Sequence, residues 1–104
     1  MEQQINTAKD ADNLEGLELS HVPQIMVEEG GVRIRVGANA HPMLLEHFIE
    51  WIELYADGNL AGRIELKPGD EPAAFFNKPA DARELKAWAA CNLHGLWENK
   101  LLRN

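Results

Sequence analysis

The hydrophobic and polar positions of the chain alternate most regularly in residues 32–36, which read Val, Arg, Ile, Arg and Val. Strict alternation places the apolar side chains on one face of a β-strand. Residues 24–27, which read Gln, Ile, Met and Val, are a second short strand candidate, and Glu29-Gly30-Gly31 between the two is a turn signal. Residues 24–36 are therefore predicted to form a β-hairpin.

Further turn signals divide the middle of the chain into short segments. Asp57-Gly58-Asn59 precedes residues 60–66, and Lys67-Pro68-Gly69-Asp70 precedes the apolar residues 73–76. Glycine, proline, asparagine and aspartate at such positions interrupt strands and supply the backbone angles of turns. Short strands at this regular spacing predict an all-β sandwich.

Two segments have a pattern that fits a helix at least as well as a strand. In residues 43–55 large apolar side chains recur at helical spacing, and in residues 81–97 Asp81 is a possible helix cap. The apolar positions are Phe48, Trp51, Ile52 and Tyr55 in the first segment, and Leu85, Trp88 and Ala89 in the second. Periodicity alone favours a helix in both segments, against the architecture that the turns predict.

The composition is that of one globular domain. The chain has 104 residues, and no apolar run approaches the roughly 18 residues that span a bilayer. Residues 1–15 are polar and acidic without a period, so we expect an N-terminal arm or edge segment there and a single domain in residues 16–104. The first residues contain neither a basic region nor an apolar stretch, and we therefore expect a cytoplasmic location.

The charge narrows the range of partners. Seventeen acidic residues against ten basic ones give a formal net charge of −7. Such a surface argues against nucleic acid and anionic membranes as partners. It is also unfavourable for attracting an anionic substrate.

The residues best suited to chemistry are the four histidines and the single cysteine. They follow the pattern His21 … His41-x5-His47 … Cys91-x2-His94. A lone histidine is more often a surface or hydrogen-bonded residue than a ligand, and a free cysteine is usually only buried. A structural zinc site with four ligands is the commonest site for such donors. Five donors are one too many for a closed zinc tetrahedron, which favours a redox metal with a higher coordination number.

Three blocks of the chain resemble the superoxide reductase family, which includes the iron-binding domain of desulfoferrodoxin and the shorter neelaredoxins. The likeness covers about residues 18–97. Because no cysteine-rich segment precedes these residues in the sequence, we expect the chain to resemble the short, single-iron form. The blocks are His21-Val22-Pro23, then His41-Pro42-Met43 with Glu46-His47-Phe48-Ile49-Glu50-Trp51-Ile52, and finally Cys91-Asn92-Leu93-His94-Gly95-Leu96-Trp97.

The resemblance implies a seven-stranded immunoglobulin-like β-sandwich or barrel, and it overrides the expectation of helices in residues 43–55 and 81–90. It also implies one mononuclear non-haem iron in a square pyramid that reduces superoxide to hydrogen peroxide. The implied metal and catalytic centre has four equatorial imidazoles and an axial thiolate, from His21, His41, His47, His94 and Cys91. A rubredoxin-like electron donor and a homo-oligomer, dimer or tetramer, are implied as well.

The chain departs from this family just before the first histidine. Many members have Glu-Lys-His before Val-Pro, whereas this chain has Leu19-Ser20-His21. Glu18 is one residue too early, and in an extended segment it would point the opposite way. We expect another cation, Lys67 or Lys78, or water alone to replace the lysine. The departure leaves a non-enzymatic iron or electron-transfer module as the alternative function.

Overall fold

The computed structural model describes residues 4–77 and 81–103, which form two packed β-sheets and one short helix. Lys78 therefore lies outside the described residues. The elements in chain order are β1 (Ile5–Asn6), α1 (Glu18–His21), β2 (Pro23–Glu28), β3 (Gly31–Val36), β4 (Ile49–Ala56), β5 (Asn59–Glu65), β6 (Ala73–Phe76), β7 (Glu84–Cys91) and β8 (Gly95–Leu102).

The strands form one sheet in the order β1-β8-β7-β4-β5 and a second in the order β2-β3-β6. Both sheets direct apolar side chains into a common core, to which Ile34 of one sheet and Ile52, Leu54 and Leu85 of the other contribute fully buried side chains. Burial of this apolar surface is the main force that holds the sheets together. The predicted all-β sandwich is confirmed.

The hairpin predicted over residues 24–36 is confirmed. β2 and β3 pair antiparallel from Pro23 opposite Val36 to Glu28 opposite Gly31, and Gly30 at the turn has φ 85°. Residues 60–66 and 73–76 likewise lie in or at the end of strands β5 and β6.

The expectation of helices in residues 43–55 and 81–97, taken from periodicity alone, is wrong. β4 and β7 pair antiparallel there, and the side chains of Ile49 and Ile52 point into the core. The outward face of β4 is also partly covered, because the guanidinium carbon of Arg63 lies 4.4 Å from the ring centroid of Trp51. When both faces of a strand carry apolar residues, the alternation of apolar and polar positions is lost, and the remaining pattern resembles helical spacing.

The count of seven strands is also wrong, because the described residues contain eight. β1 consists only of Ile5–Asn6, which pair in parallel with Leu96–Trp97 of β8. A strand of two residues is shorter than the usual range and has no alternation to detect. This pairing fits the edge-segment interpretation of the N-terminal arm, while the boundary at residues 15 and 16 stays a prediction.

No helix among residues 4–77 and 81–103 is long and apolar enough to cross a membrane.

Candidate metal centre

Three separate segments meet at one end of the sandwich. His21 ends helix α1 directly before β2, His41 and His47 lie in the connection between β3 and β4, and Cys91 ends β7. Because Ile49 pairs with Cys91 and Cys91 with Gly95, the start of β4, the end of β7 and the start of β8 lie side by side. The register of this sheet therefore brings the connection that carries His47 next to the Cys91–His94 turn.

Four of the five predicted donors form a tight group. One donor atom from each of His21, His47, Cys91 and His94 lies within 4.8 Å of all the others. Metal–ligand distances of about 2.0–2.3 Å allow one ion to contact donors up to about 4.6 Å apart. Small movements would thus place all four donors on one ion.

His41 lies against this group although it is not one of the tight four. Its Nε2 is 3.1 Å from Nε2 of His21, and its ring centroid is 4.7 Å from that of His47. The structure therefore brings all five predicted residues together, with His41 at one side.

Backbone carbonyls fix the tautomers of His21 and His41. Nδ1 of His21 lies 2.8 Å from the Leu17 carbonyl oxygen, and Nδ1 of His41 lies 2.6 Å from the Pro42 carbonyl oxygen. A carbonyl only accepts, so both Nδ1 atoms carry the proton and both Nε2 atoms present a lone pair. Two facing lone pairs at 3.1 Å are unfavourable unless a cation is shared between them.

Burial keeps these rings neutral. Desolvation is the largest cause that lowers the pKa of His41 from 6.5 to about 4, with repulsion from the neighbouring imidazoles adding to it and the Pro42 carbonyl opposing it. The pKa of His21 is lowered for the same reasons, against the hydrogen bond to Leu17. A neutral imidazole is the form that binds a metal.

His47 supplies an independent indication of a bound ion. Its Nε2 is buried and has no hydrogen-bond partner within residues 4–77 and 81–103. The backbone holds this residue firmly, because Leu44 and His47 exchange two N–H···O bonds of 2.9 and 3.1 Å. A buried polar atom without a partner is costly, and a metal ion would satisfy it.

The turn from Cys91 to Gly95 presents the remaining two donors. Cys91 is a free thiol with only 4% of its surface exposed, and its Sγ is 3.9 Å from Nδ1 of His94. Gly95 has φ 81°, a conformation that glycine adopts without strain, so the chain reverses directly after His94. Trp97 then donates from Nε1 to the His94 carbonyl oxygen at 3.0 Å.

Asn92 is a site residue whose role sequence reasoning missed. Its Oδ1 accepts the Phe48 N–H at 2.9 Å, and its Nδ2 donates to the Glu46 carbonyl oxygen at 3.1 Å. The amide therefore ties the Cys91–His94 turn to the backbone on both sides of His47. An amide side chain between two potential ligands was the available signal, but its partner 44 residues away could not be identified from the sequence.

The segment before His21 differs from its expected conformation. Residues 18–21 are helical, so the expectation that Glu18 lies in an extended segment and points the opposite way is wrong. The Glu18 carboxylate instead accepts the backbone N–H groups of Lys9 and Glu15 at 3.3 and 3.0 Å. The Ser20 hydroxyl lies 2.9 Å from Nδ1 of His21.

The fold and the donor set together define a two-sheet β protein with a mononuclear metal centre of imidazole and thiolate donors. Imidazole and thiolate suit iron, zinc and copper alike, and a donor set larger than a zinc tetrahedron suits iron.

The chain belongs to the desulfoferrodoxin family, whose model matches residues 13–100. A desulfoferrodoxin homologue from Archaeoglobus fulgidus is 49% identical over 76% of this chain and 61% of its own length. A protein named superoxide reductase from Pyrococcus abyssi is 41% identical over 78% of this chain and 84% of its own length. The chain thus spans about three fifths of the desulfoferrodoxin that it matches.

Solved structures agree with this assignment. Superoxide reductase (neelaredoxin) from Ignicoccus hospitalis superposes with a TM-score of 0.76 at 33% identity, over 96% of this chain and 94% of that one. The single-iron superoxide reductase from Giardia intestinalis gives 0.72 at 34% identity, over 80% and 97%. Family membership and the cluster of three imidazoles with a thiolate confirm the expected cofactor, one mononuclear iron.

Proposed function

We propose that the chain reduces superoxide to hydrogen peroxide at this iron, with His21, His41, His47, His94 and Cys91 as the residues that hold it. The observation that carries the proposal is the convergence of imidazoles and a buried thiol on one point, including a buried His47 nitrogen that has no partner among the residues the structure describes. Relatives that bear the name superoxide reductase support the reaction.

Superoxide gains one electron and two protons, and hydrogen peroxide leaves. When bound, ferrous iron would supply the electron, and one electron would have to return from a reductant in each turnover. The protein's part is to hold the donors ready: the Leu17 and Pro42 carbonyls orient two imidazoles through their Nδ1–H groups. Burial keeps these rings unprotonated, and Cys91 would hold the ion as a thiolate that adds negative charge there.

The decisive experiment combines metal analysis and pulse-generated superoxide on anaerobically prepared protein. We expect one iron per chain, a thiolate-to-iron absorption band after oxidation, and consumption of superoxide without oxygen evolution. His47→Ala should lose most of the iron. Full occupancy by zinc without iron would overturn the proposal.

A non-enzymatic iron or electron-transfer module is the second candidate. It is favoured by Leu19 and Ser20 at the family's glutamate and lysine positions, and by the Glu18 carboxylate, which is already occupied by two backbone N–H groups. A ferrous protein that binds iron but reacts slowly with superoxide would decide for this module.

The missing lysine can be tested by restoring it. The attraction between two unit charges about 4 Å apart is worth about 1 kcal/mol in water and more at a partly buried site. Such an energy corresponds to roughly a tenfold change in rate. Ser20→Lys should therefore speed the reaction with superoxide roughly tenfold at low salt. Among the described residues, Lys67 is the proposed natural substitute for the lysine. It belongs to the turn over residues 67–70. Gly69 of that turn donates its N–H to the Met43 carbonyl oxygen at 2.9 Å and so ties the turn to the His41–His47 connection. An unchanged rate for Ser20→Lys would rule out electrostatic attraction of superoxide by a lysine at this position.

Three further proposals concern the surroundings of the protein: a rubredoxin-like donor, a homo-oligomer and a cytoplasmic location. Leu44, Leu45 and Leu93 are 55%, 81% and 59% exposed beside the ligands His47 and His94, which supports docking of a protein donor. Reduction kinetics with purified rubredoxin, light scattering and cell fractionation test the three in turn.

A further inference from the structure

The N-terminal segment from Ile5 to Glu15, here named the strap, contacts two of the segments that carry the proposed iron ligands. The proposed reaction assigns it no role. Its first part lies beside the Cys91–His94 turn, and its last part lies beside helix α1, which ends in His21. The two attachments are made by different side chains, Asn6 and Glu18.

Asn6 attaches the strap to the fourth histidine. Its Nδ2 donates to the Leu96 carbonyl oxygen at 3.1 Å and lies 3.4 Å from the His94 carbonyl oxygen, which also accepts the Trp97 indole N–H. The peptide group that follows His94 is therefore held by donors on two sides. Because that peptide sets the direction of the turn, these donors help to fix where the His94 ring points.

Glu18 attaches the other end. The residue is only 9% exposed, and its two carboxylate oxygens accept the N–H groups of Lys9 and Glu15. Charge-assisted bonds of this kind are stronger than neutral ones, and they offset the cost of burying the carboxylate. Glu18 is three residues before His21, and its backbone carbonyl accepts the Val22 N–H at 3.0 Å on the other side of that ligand.

We propose that Asn6 and Glu18 are positioning residues that make the strap a brace between His94 and His21. The proposal rests on the iron site proposed above. The brace fixes the separation of the two ligand segments in the folded chain before iron binds. Such outer contacts typically change metal affinity by about 10- to 100-fold.

The His94 end is tested with Asn6→Asp, which replaces a donor by a negative acceptor facing two carbonyl oxygens. We expect about a tenfold loss of ferrous-iron affinity in anaerobic chelator competition, and a shifted thiolate-to-iron band in the oxidised protein. Asn6→Ala is the milder variant and should change both in the same direction. Asn59→Asp, on an exposed residue of β5, makes the same chemical change elsewhere and should leave both at the wild-type value.

The His21 end is tested with Glu18→Gln, which keeps the shape but leaves one acceptor oxygen for two N–H groups. We again expect about a tenfold loss of iron affinity. Asp12→Asn removes the same charge from an exposed residue of the strap and should have no effect. A lower melting temperature with unchanged affinity and spectrum would make Glu18 merely structural and overturn the proposal.

The brace also predicts that the two ends depend on each other. The loss of iron affinity in the double variant Asn6→Asp/Glu18→Gln should be clearly smaller than the product of the losses in the two single variants, because either change alone already loosens the strap. Strict multiplication of the two losses would refute a brace. If wild-type protein binds no iron, the proposed function fails; if it binds iron and the variants match it, only the brace fails.

Discussion

At the scale of single residues, the positive-φ glycines differ sharply in their surroundings. Gly37 and Gly58 share φ +87°, but a Cβ on Gly58 would meet open space. A Cβ on Gly37 would overlap the Asn39 carbonyl oxygen and lie 2.7 Å from the Ser20 backbone, next to His21. Gly37 is thus a close-packing position directly beneath the helix that carries a ligand.

Alanine substitutions at Gly37 and Gly58 should distinguish the cost of backbone strain from the cost of steric overlap. Gly58→Ala should cost about 1–2 kcal/mol, the cost of a left-handed conformation with a Cβ. Gly37→Ala should cost about 2 kcal/mol more, because the overlap with backbone cannot be relieved by a rotamer change. Urea unfolding of both variants measures the difference, and equal costs would contradict the packing argument.

Tyr55 is the only tyrosine in the chain and reports on a charged group at the outer face of the sheet. Burial, and then the hydrogen bond and charge of Glu53, raise its pKa above 10.0, while Arg63 opposes the shift. The Tyr55 hydroxyl donates to Oε1 of Glu53 at 2.9 Å, and Arg63 pairs with Oε2 of the same carboxylate at 2.8 Å.

An absorbance titration of tyrosinate should therefore have a midpoint above pH 10.0 in folded protein. Folding raises the pKa of the Tyr55 phenol, so the folded chain holds this proton more tightly than the unfolded chain. The stability that results is fully present below pH 10.0 and is lost as the pH rises through the folded-state pKa. Glu53→Gln should move the midpoint down. Glu65→Gln removes a carboxylate that pairs with Arg63, not with the Tyr55 hydroxyl, and should not lower the midpoint. An unmoved midpoint in Glu53→Gln would disprove the coupling.

At the scale of elements, the site depends on how the ends of the strands are joined. Pairing of β4 with β7 is irregular between Ile49 and Trp51, which leaves Glu50 as an additional residue directly after the Ile49–Cys91 pair. Bulges of this kind bend a strand and redirect neighbouring side chains. The Asn92 side chain then fixes the Cys91–His94 turn to the connection that carries His47.

Asn92→Ala should uncouple these two connections. We expect about a tenfold loss of ferrous-iron affinity, since outer contacts of ligands typically have that effect. Glu46→Ala is the matched control because it shortens an exposed side chain and leaves the carbonyl that Asn92 contacts. Chelator competition on both variants gives the result, and equal affinities would show that the backbone alone holds the two segments.

At the scale of the whole molecule, the proposed ligands come from three segments that are distant in sequence. An ion that contacts all three binds the folded chain and not the unfolded one, so it stabilises the fold by mass action. A free iron concentration about a thousand times the dissociation constant contributes about 4 kcal/mol.

Anaerobic thermal unfolding should accordingly show a melting temperature more than about 10 °C higher with ferrous iron than after its removal. His47→Ala, which lacks the buried unpartnered nitrogen, should show only a small difference. Equal melting temperatures for the wild-type protein in both states would mean that iron does not link the three segments.

The sequence by itself determined the all-β architecture, the hairpin over residues 24–36 and the donor types, because turn chemistry, alternation and residue identity are local properties. Periodicity alone misjudged residues 43–55 and 81–97, where both faces of a strand are covered and the period of two disappears; the family resemblance had overridden it in favour of strands. The residue pattern itself did not show that the four histidines and Cys91 meet; the family resemblance implied it, and the tertiary structure brings them together. Tertiary structure alone decided that Glu18 holds the strap and that Asn92 joins two ligand segments. Most of these contacts join residues far apart in the chain, through strand pairing and side-chain hydrogen bonds, and a linear pattern carries no direct record of such distances.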